Sequence, residues 1–193
     1  MRSKVSVCNL ALSRISGHQL DEINGLDEES QAARLCKNSL PFVVETALSY
    51  FAWNFATKQV RLALTLSNVG TDGYSFRYAL PADCLRVLRL AGGRVGYPPP
   101  CAVQGSDILT DVERAELIYI ANTDTANMWP PRFASAVAWG LAAELSTSLI
   151  NDIRRQQFCQ QQHALELDQA KADDLNANTP RKTIDNWEAA RGW

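Results

Sequence analysis

The chain has little of what marks a specialised chemistry. Only two histidines occur, His18 and His163, and neither stands in an HExxH stretch or near a second metal ligand. The five cysteines, Cys8, Cys36, Cys84, Cys101 and Cys159, are odd in number, widely spaced and free of any CxxC pair. That pattern argues against a disulfide framework and against a zinc site of ordinary spacing. It suits small buried hydrophobes in a reducing compartment. No GxSxG elbow surrounds a serine, and no nucleophile motif surrounds a cysteine. The run Gly92-Gly93-Arg94-Val95-Gly96 lacks the Lys-Ser/Thr of a phosphate loop and leads into Pro98-Pro99-Pro100, so it reads as a turn. No run of about 18 apolar residues occurs, which excludes an ordinary membrane-spanning helix. The N-terminal MRSKVSVCNLALSRIS interleaves charge with apolar residues and makes a poor signal peptide. No catalytic constellation, metal or cofactor is expected.

Charge of one sign is also lacking. Lys and Arg number 19 against 21 Asp and Glu, a net charge of -2. The balance holds along the chain: 5 positive and 6 negative through Ala56, 7 and 7 from there through Thr125, 7 and 8 beyond. A protein that grips nucleic acid by bulk electrostatics needs clustered cations, and so does a polybasic membrane-surface protein. Neither class fits.

What is present is enough for a core: 193 residues, 46% of them apolar. Val5, Cys8, Leu12 and Ile15 recur at spacings of 3, 4 and 3, the period of one helical face, and Gly17 is a natural stop. Ile23 and Leu26 anchor a short connection. Asp27 is placed to cap a second helix from about Glu28 towards Tyr50, with Pro41 inside it as a kink or interruption. Its buried face would draw on Ala32, Leu35, Cys36, Val43, Ala47 and Leu48. The segment from Leu48 to Ala56 is the aromatic-richest in the chain and reads as a core anchor.

Beyond Ala56 the period changes to two. Val60, Leu62, Leu64 and Leu66 alternate, then Tyr74, Phe76, Tyr78 and Leu80, with Pro81 ending that strand. Leu85 to Leu90 suits another strand. Cys101 to Gln104 and Asp107 to Thr110 flank Gly105-Ser106, a glycine-first pair that fits a type II′ hairpin. Around Leu117, Tyr119 and Ala121 both faces are apolar, as in a strand covered on both sides.

Proline at 130 and 131 suits a helix entry. From Phe133 to about Ile150 the chain reads as a buried helix, with Glu144 turned outward, and Asn151-Asp152 as the break. A second long helix runs to about Asn176, with five glutamines between Gln156 and Gln162 and a thin apolar stripe at Leu165, Ala172 and Leu175. Such a helix packs weakly by itself and invites a neighbour. Pro180 breaks it. The remaining RKTIDNWEAARGW has too little apolar content for a core yet carries Trp187 and Trp193, which suits an arm that orders on a partner. The expected fold class is therefore α+β: a helical bundle from residues 1–56 and 126–177, a central antiparallel β-rich insertion over 57–125, and an extended C-terminal arm over 178–193.

This succession resembles the tail tubular protein A family, the head-to-tail adaptors of short-tailed bacteriophages. The stretches that carry the resemblance are VSVCNLALSRISG with ESQAARLC, WNFATKQVRLAL, YSFRYALPADCLRVLRL, VQGSDILTDVERAELIYI and FASAVAWGLAAELSTSLI, which span most of residues 5–150. The resemblance implies a structural, non-enzymatic virion protein of the neck, assembled in the host bacterial cytoplasm. It implies a ring of about twelve copies that docks on the portal protein, extends the DNA channel and carries the tail nozzle. Duplex DNA would pass through without specific binding. Arg181, Lys182, Trp187, Arg191 and Trp193 would form a portal-binding arm. Gly70, Gly73, Gly105 and Ser106, in two loops of the β-rich part, would contact the neighbouring subunit or the nozzle. The alternatives are another neck component, such as a head-completion or tail-terminator ring, and a DNA-binding packaging protein. The first two helices could pass for a helix-turn-helix, but their connection is long and Arg14, Arg34 and Lys37 form no basic stripe.

Overall fold

A computed structural model of the chain describes residues 2–16, 22–67, 73–92 and 97–177. Within them the fold is mixed α and β, with four helices and two antiparallel sheets. The expected stop at Gly17, His18, the Gly93–Gly96 part of the glycine run and the whole arm lie outside the described residues.

Helix α1 (Lys4–Ser16) buries Val7, Cys8, Ala11, Leu12 and Ile15. Asn9 fixes the segment that follows: its side chain donates to the Ile23 carbonyl at 3.0 Å and accepts from the Ile23 amide at 2.9 Å. Helix α2 (Gln31–Tyr50) begins later than expected. Its cap is Ser30, whose hydroxyl accepts from the Ala33 amide, whereas Asp27 lies before the helix and takes Lys37 at 2.7 Å. Pro41 does not interrupt it. Leu40, Val43, Val44, Ala47 and Leu48 are buried along this stretch, and that packing outweighs the one amide donor that proline removes.

Helix α3 (Pro131–Ile150) enters through proline at its first turn and leaves through Asn151, at φ 49°, in the left-handed conformation that asparagine tolerates. Contrary to the exclusion drawn from the sequence, it is long and apolar enough to cross a membrane by length and composition, with a mean hydropathy of 1.3 over its most apolar window. Yet 61% of that window is buried inside the protein, because α1, α2 and α4 all pack on it. Glu144 is exposed, as the pattern required. Asp152 caps α4 (Ile153–Asn176) by accepting from the amides of Arg154 and Arg155. Helix α4 buries only Cys159, Leu167 and Ala170; Leu165 and Leu175 of the anticipated stripe stay exposed.

Trp53 sits at the centre of the helical core, with Phe51, Phe55 and Phe133 around it at ring separations of 5.4, 6.1 and 5.2 Å. Gly140 permits the close approach of three helices. A methyl group there would meet Val43 of α2 at 2.9 Å and the His163 ring of α4 at 3.0 Å. His163 is thus half-buried against α3, and its Nδ1 lies 2.7 Å from the Ala136 carbonyl.

The expected strand over Gln59 to Leu66 is two strands. β1 (Thr57–Arg61) and β2 (Ala63–Ser67) part at Leu62, whose amide bonds the Ala115 carbonyl, and they join different sheets. β3 (Phe76–Ala79), β4 (Cys84–Leu90), β5 (Cys101–Gln104), β6 (Asp107–Thr110) and β7 (Glu116–Ala121) follow. One sheet has the order β1-β7-β4 and the other β2-β3-β6-β5. β7 is covered on both faces, as its sequence predicted. Ile120 joins the helical core, while Leu117, Tyr119 and Ala121 join a second core with Tyr78 and Ile108 of the four-stranded sheet.

Candidate functional site

The residues expected to make contacts in the β-rich part occupy two separate places. The Gly105-Ser106 turn closes β5 onto β6 with Gln104 opposite Asp107. Gly105 has φ 62° while Ser106 is not in the positive-φ region, the pattern of a type II′ turn. The turn is braced, since the Ser106 carbonyl accepts the Leu80 amide at 2.9 Å, just past the end of β3. Gly73, at φ 80°, lies before the start of β3, where Asp111 accepts both the amide and the hydroxyl of Ser75. Because β3 and β6 run antiparallel with Ala79 beside Asp107 and Phe76 beside Thr110, the two loops stand at opposite ends of the four-stranded sheet. They do not form one patch. Gly70 and the arm residues Arg181, Lys182, Trp187, Arg191 and Trp193 lie outside the described residues.

Sequence reasoning missed the apolar side chains that the fold leaves in solvent. On the helices Phe42 is 66% exposed and Ile153 63% exposed, with Phe158 and Leu165 also open. On the sheet Leu64, Leu66 and Val103 are each 53% exposed. The alternation from Val60 to Leu66 implied a buried face, but only Leu62 is buried. The usable signal was a different one: residues 62–67 hold no charge at all, which is unusual for a strand that ends a sheet.

Two concavities adjoin the helical core. A cleft of about 800 Å³ between α2 and the β-rich part is lined by Leu40, Pro41, Val44 and Trp129 and by Lys4, Lys37, Asp27, Glu45, Asp83 and Asp124. Its lysines are paired, and Glu45 accepts from the Asn122 side-chain amide at 3.0 Å. Lys4 pairs Asp124, Lys37 pairs Asp27, and Asp83 takes Lys58 at 2.7 Å and the Tyr119 hydroxyl at 2.9 Å. The Lys58 hydrogen bond holds the Asp83 carboxyl below its usual range. Burial, then the bond to Asp83, pushes the Tyr119 phenol up to about 12. Both lysines lining the cleft are thus paired, so it has no spare cation to grip a phosphate. A second cleft of about 380 Å³ lies beside the end of α4, floored by Trp53, Phe133, Pro131 and Ala170 and rimmed by Asp173 and Asp174. Asp174 accepts the Asn54 amide at 3.1 Å, and burial raises its carboxyl pKa. Arg132 also lines this cleft and already pairs Asp173 at 2.7 Å.

Cys159 and His163 each have partners elsewhere in the helical core. Cys159 is fully buried, and burial pushes its thiol up despite a hydrogen bond with Ser146 and the nearby Arg155 and Arg14. His163 is engaged with the Ala136 carbonyl. Cys8 and Cys36 meet in the helical core, where their mutual hydrogen bond and burial push the Cys8 thiol up. Among the described residues no group of three or more His, Cys, Asp or Glu is placed to hold a metal ion. Compared with known proteins, the chain matches no family model and no curated protein.

Proposed function

We propose that the chain is a structural phage neck protein: a ring-forming adaptor that docks on the portal, extends the DNA channel and gives the tail nozzle its platform. The observation that carries this reading is the distribution of exposed apolar side chains. They lie on both the helical part (Phe42, Ile153, Phe158, Leu165) and the β-rich part (Leu64, Leu66, Val103), so more than one face calls for a partner. A catalyst would concentrate its unusual side chains in one cleft; here Lys4 and Lys37 of the larger cleft and Arg132 of the smaller one are each held by a carboxylate over an apolar floor. The resemblance to the tail tubular protein A family supplies the identity of the partners.

In this reading the helical bundle of residues 1–56 and 126–177 is the frame, 57–125 the β-rich insertion and 178–193 an extended arm. Trp187 and Trp193 anchor the arm on the portal, with Arg181, Lys182 and Arg191 as its polar contacts. Gly70, Gly73, Gly105 and Ser106 belong to loops that meet a neighbour or the nozzle. Charge balance fits a passage for duplex DNA. A net charge of -2 per copy becomes roughly -24 around about twelve copies, which repels the phosphate backbone rather than holding it.

The test is electron microscopy of the full chain mixed with portal rings. A ring capping the portal, with one copy per symmetry unit, is expected. A chain lacking residues 179–193 is expected to fold and to lose portal binding. Normal assembly of that deletion on portal rings would remove the arm from this account, and no complex with the full chain would remove the adaptor function.

A further inference from the structure

The two sheets treat their edges differently. In the three-stranded sheet the edge strands are β1 and β4, and each carries two cations: Lys58 and Arg61 on β1, Arg86 and Arg89 on β4. Charges of this kind are how sheet edges are kept from pairing with other chains. In the four-stranded sheet the edge strands are β2 and β5, with sequences ALTLS and CAVQ. Neither contains a charged residue or a proline. Among the described residues no further strand pairs with either outer edge.

The side chains continue the contrast. Register places Leu64, Tyr78, Ile108 and Val103 opposite one another in a single row across all four strands. The middle of that row is core, with Tyr78 1% and Ile108 0% exposed, while its two ends, Leu64 and Val103, are each 53% exposed. An apolar row that runs from the core out to both open edges is an unfinished one. β2 has five residues, of which four pair with β3 because the register shifts between Leu64 and Leu66, and β5 has four. Each neighbouring pair in the sheet is antiparallel, so β2 and β5 run in opposite directions. A second copy in the same orientation therefore lays its β5 antiparallel beside β2, as the pattern requires. Two different complementary edges make a head-to-tail contact, the kind that repeats from copy to copy.

We propose that copies of this chain join edge to edge through the four-stranded sheet, β2 of one copy hydrogen-bonded to β5 of the next, with Leu64 packing against Val103 across the seam. Closure of this series into a ring rests on the adaptor function proposed above; the edge contact does not.

The experiment uses the full chain, followed by sedimentation over a concentration series and by amide hydrogen exchange. Association is expected to protect the amides of residues 63–67 and 101–104. Leu64→Lys and Val103→Glu are each expected to shift the association midpoint by on the order of tenfold or more, because a lone charge is carried into the seam. Both positions are exposed, so monomer circular dichroism and melting stay as in the wild type. An equal mixture of the two variants is expected to reassociate. The introduced lysine then faces the introduced glutamate at one seam, and Leu64 faces Val103 at the next. A wild-type chain that stays monomeric throughout, or oligomers unchanged by both variants, overturns the proposal. Loss with Leu64→Lys but none with Val103→Glu overturns it too, because that pattern belongs to a twofold β2–β2 contact. Rings with unprotected edge amides sink the edge contact and leave the adaptor standing; protected edges in open filaments do the reverse.

Discussion

Replacing Trp53 by alanine tests the packing of the helical core most directly. The side chain is 1% exposed and lies within reach of three aromatic rings. Its indole Nε1 also donates to the Ala47 carbonyl at 2.9 Å, tying the chain after α2 back onto the last turn of that helix. Truncating a buried tryptophan costs about 3–5 kcal/mol through lost transfer energy and the cavity left behind. The lost hydrogen bond and edge-to-face ring contacts put this site at the upper end of that range. For a domain of this size each kcal/mol moves the melting midpoint by about 2–4 °C, so the variant should melt ~10–20 °C below the wild type. Thermal unfolding followed by circular dichroism reads this directly. Trp53→Phe keeps part of the ring contact and should fall between the two. Met128→Ala, at an exposed position, should stay within about 0.5 kcal/mol of the wild type. A Trp53→Ala midpoint within ~2 °C of the wild type would refute the placement of this residue at the centre of the core.

Gly105→Val forces a branched side chain into φ 62° and should cost roughly 1–2 kcal/mol in urea unfolding, with Gly105→Asn costing less. Asp83 has a folded pKa below its unfolded value, so the stability it gives is present above about pH 3.9 and is lost as the pH falls through the lower folded value. Asp83→Asn should therefore show a shallower acid fall in melting temperature than the wild type; identical acid limbs would count against the Lys58 pairing. Titrating labelled duplex DNA with the protein at rising salt should show no steep salt-dependent binding, whereas a slope worth several phosphate contacts would overturn a non-adhesive channel wall.

The parts of the fold that were legible in the sequence are those where local chemistry and tertiary packing agree. The Gly105-Ser106 hairpin, the Asn151-Asp152 break and the doubly covered β7 appear at the residues expected, because left-handed backbone, side-chain capping and two-faced apolarity each have one local solution. The interruption allowed at Pro41 and the single strand expected through Leu62 fail for the opposite reason. The helix survives its proline because α2 is packed along its length, and the alternating run splits because Leu62 is drawn to the Ala115 carbonyl. Both are decided by partners distant in sequence. At the candidate surfaces, alternation at Leu64 and Leu66 looked like burial when it marks an edge. Periodicity says that side chains share a face, and only the strand order says whether anything covers it.

β7 has a consequence of another kind. Among the described strands it alone has buried side chains in both cores, Ile120 on one side and Leu117 and Tyr119 on the other. β4 lies beside it with Leu85 and Leu88 against the helical core and Leu90 in the second, so loss of either core would uncover one face of this pair of strands. The two cores are therefore expected to unfold together in one transition rather than one after the other.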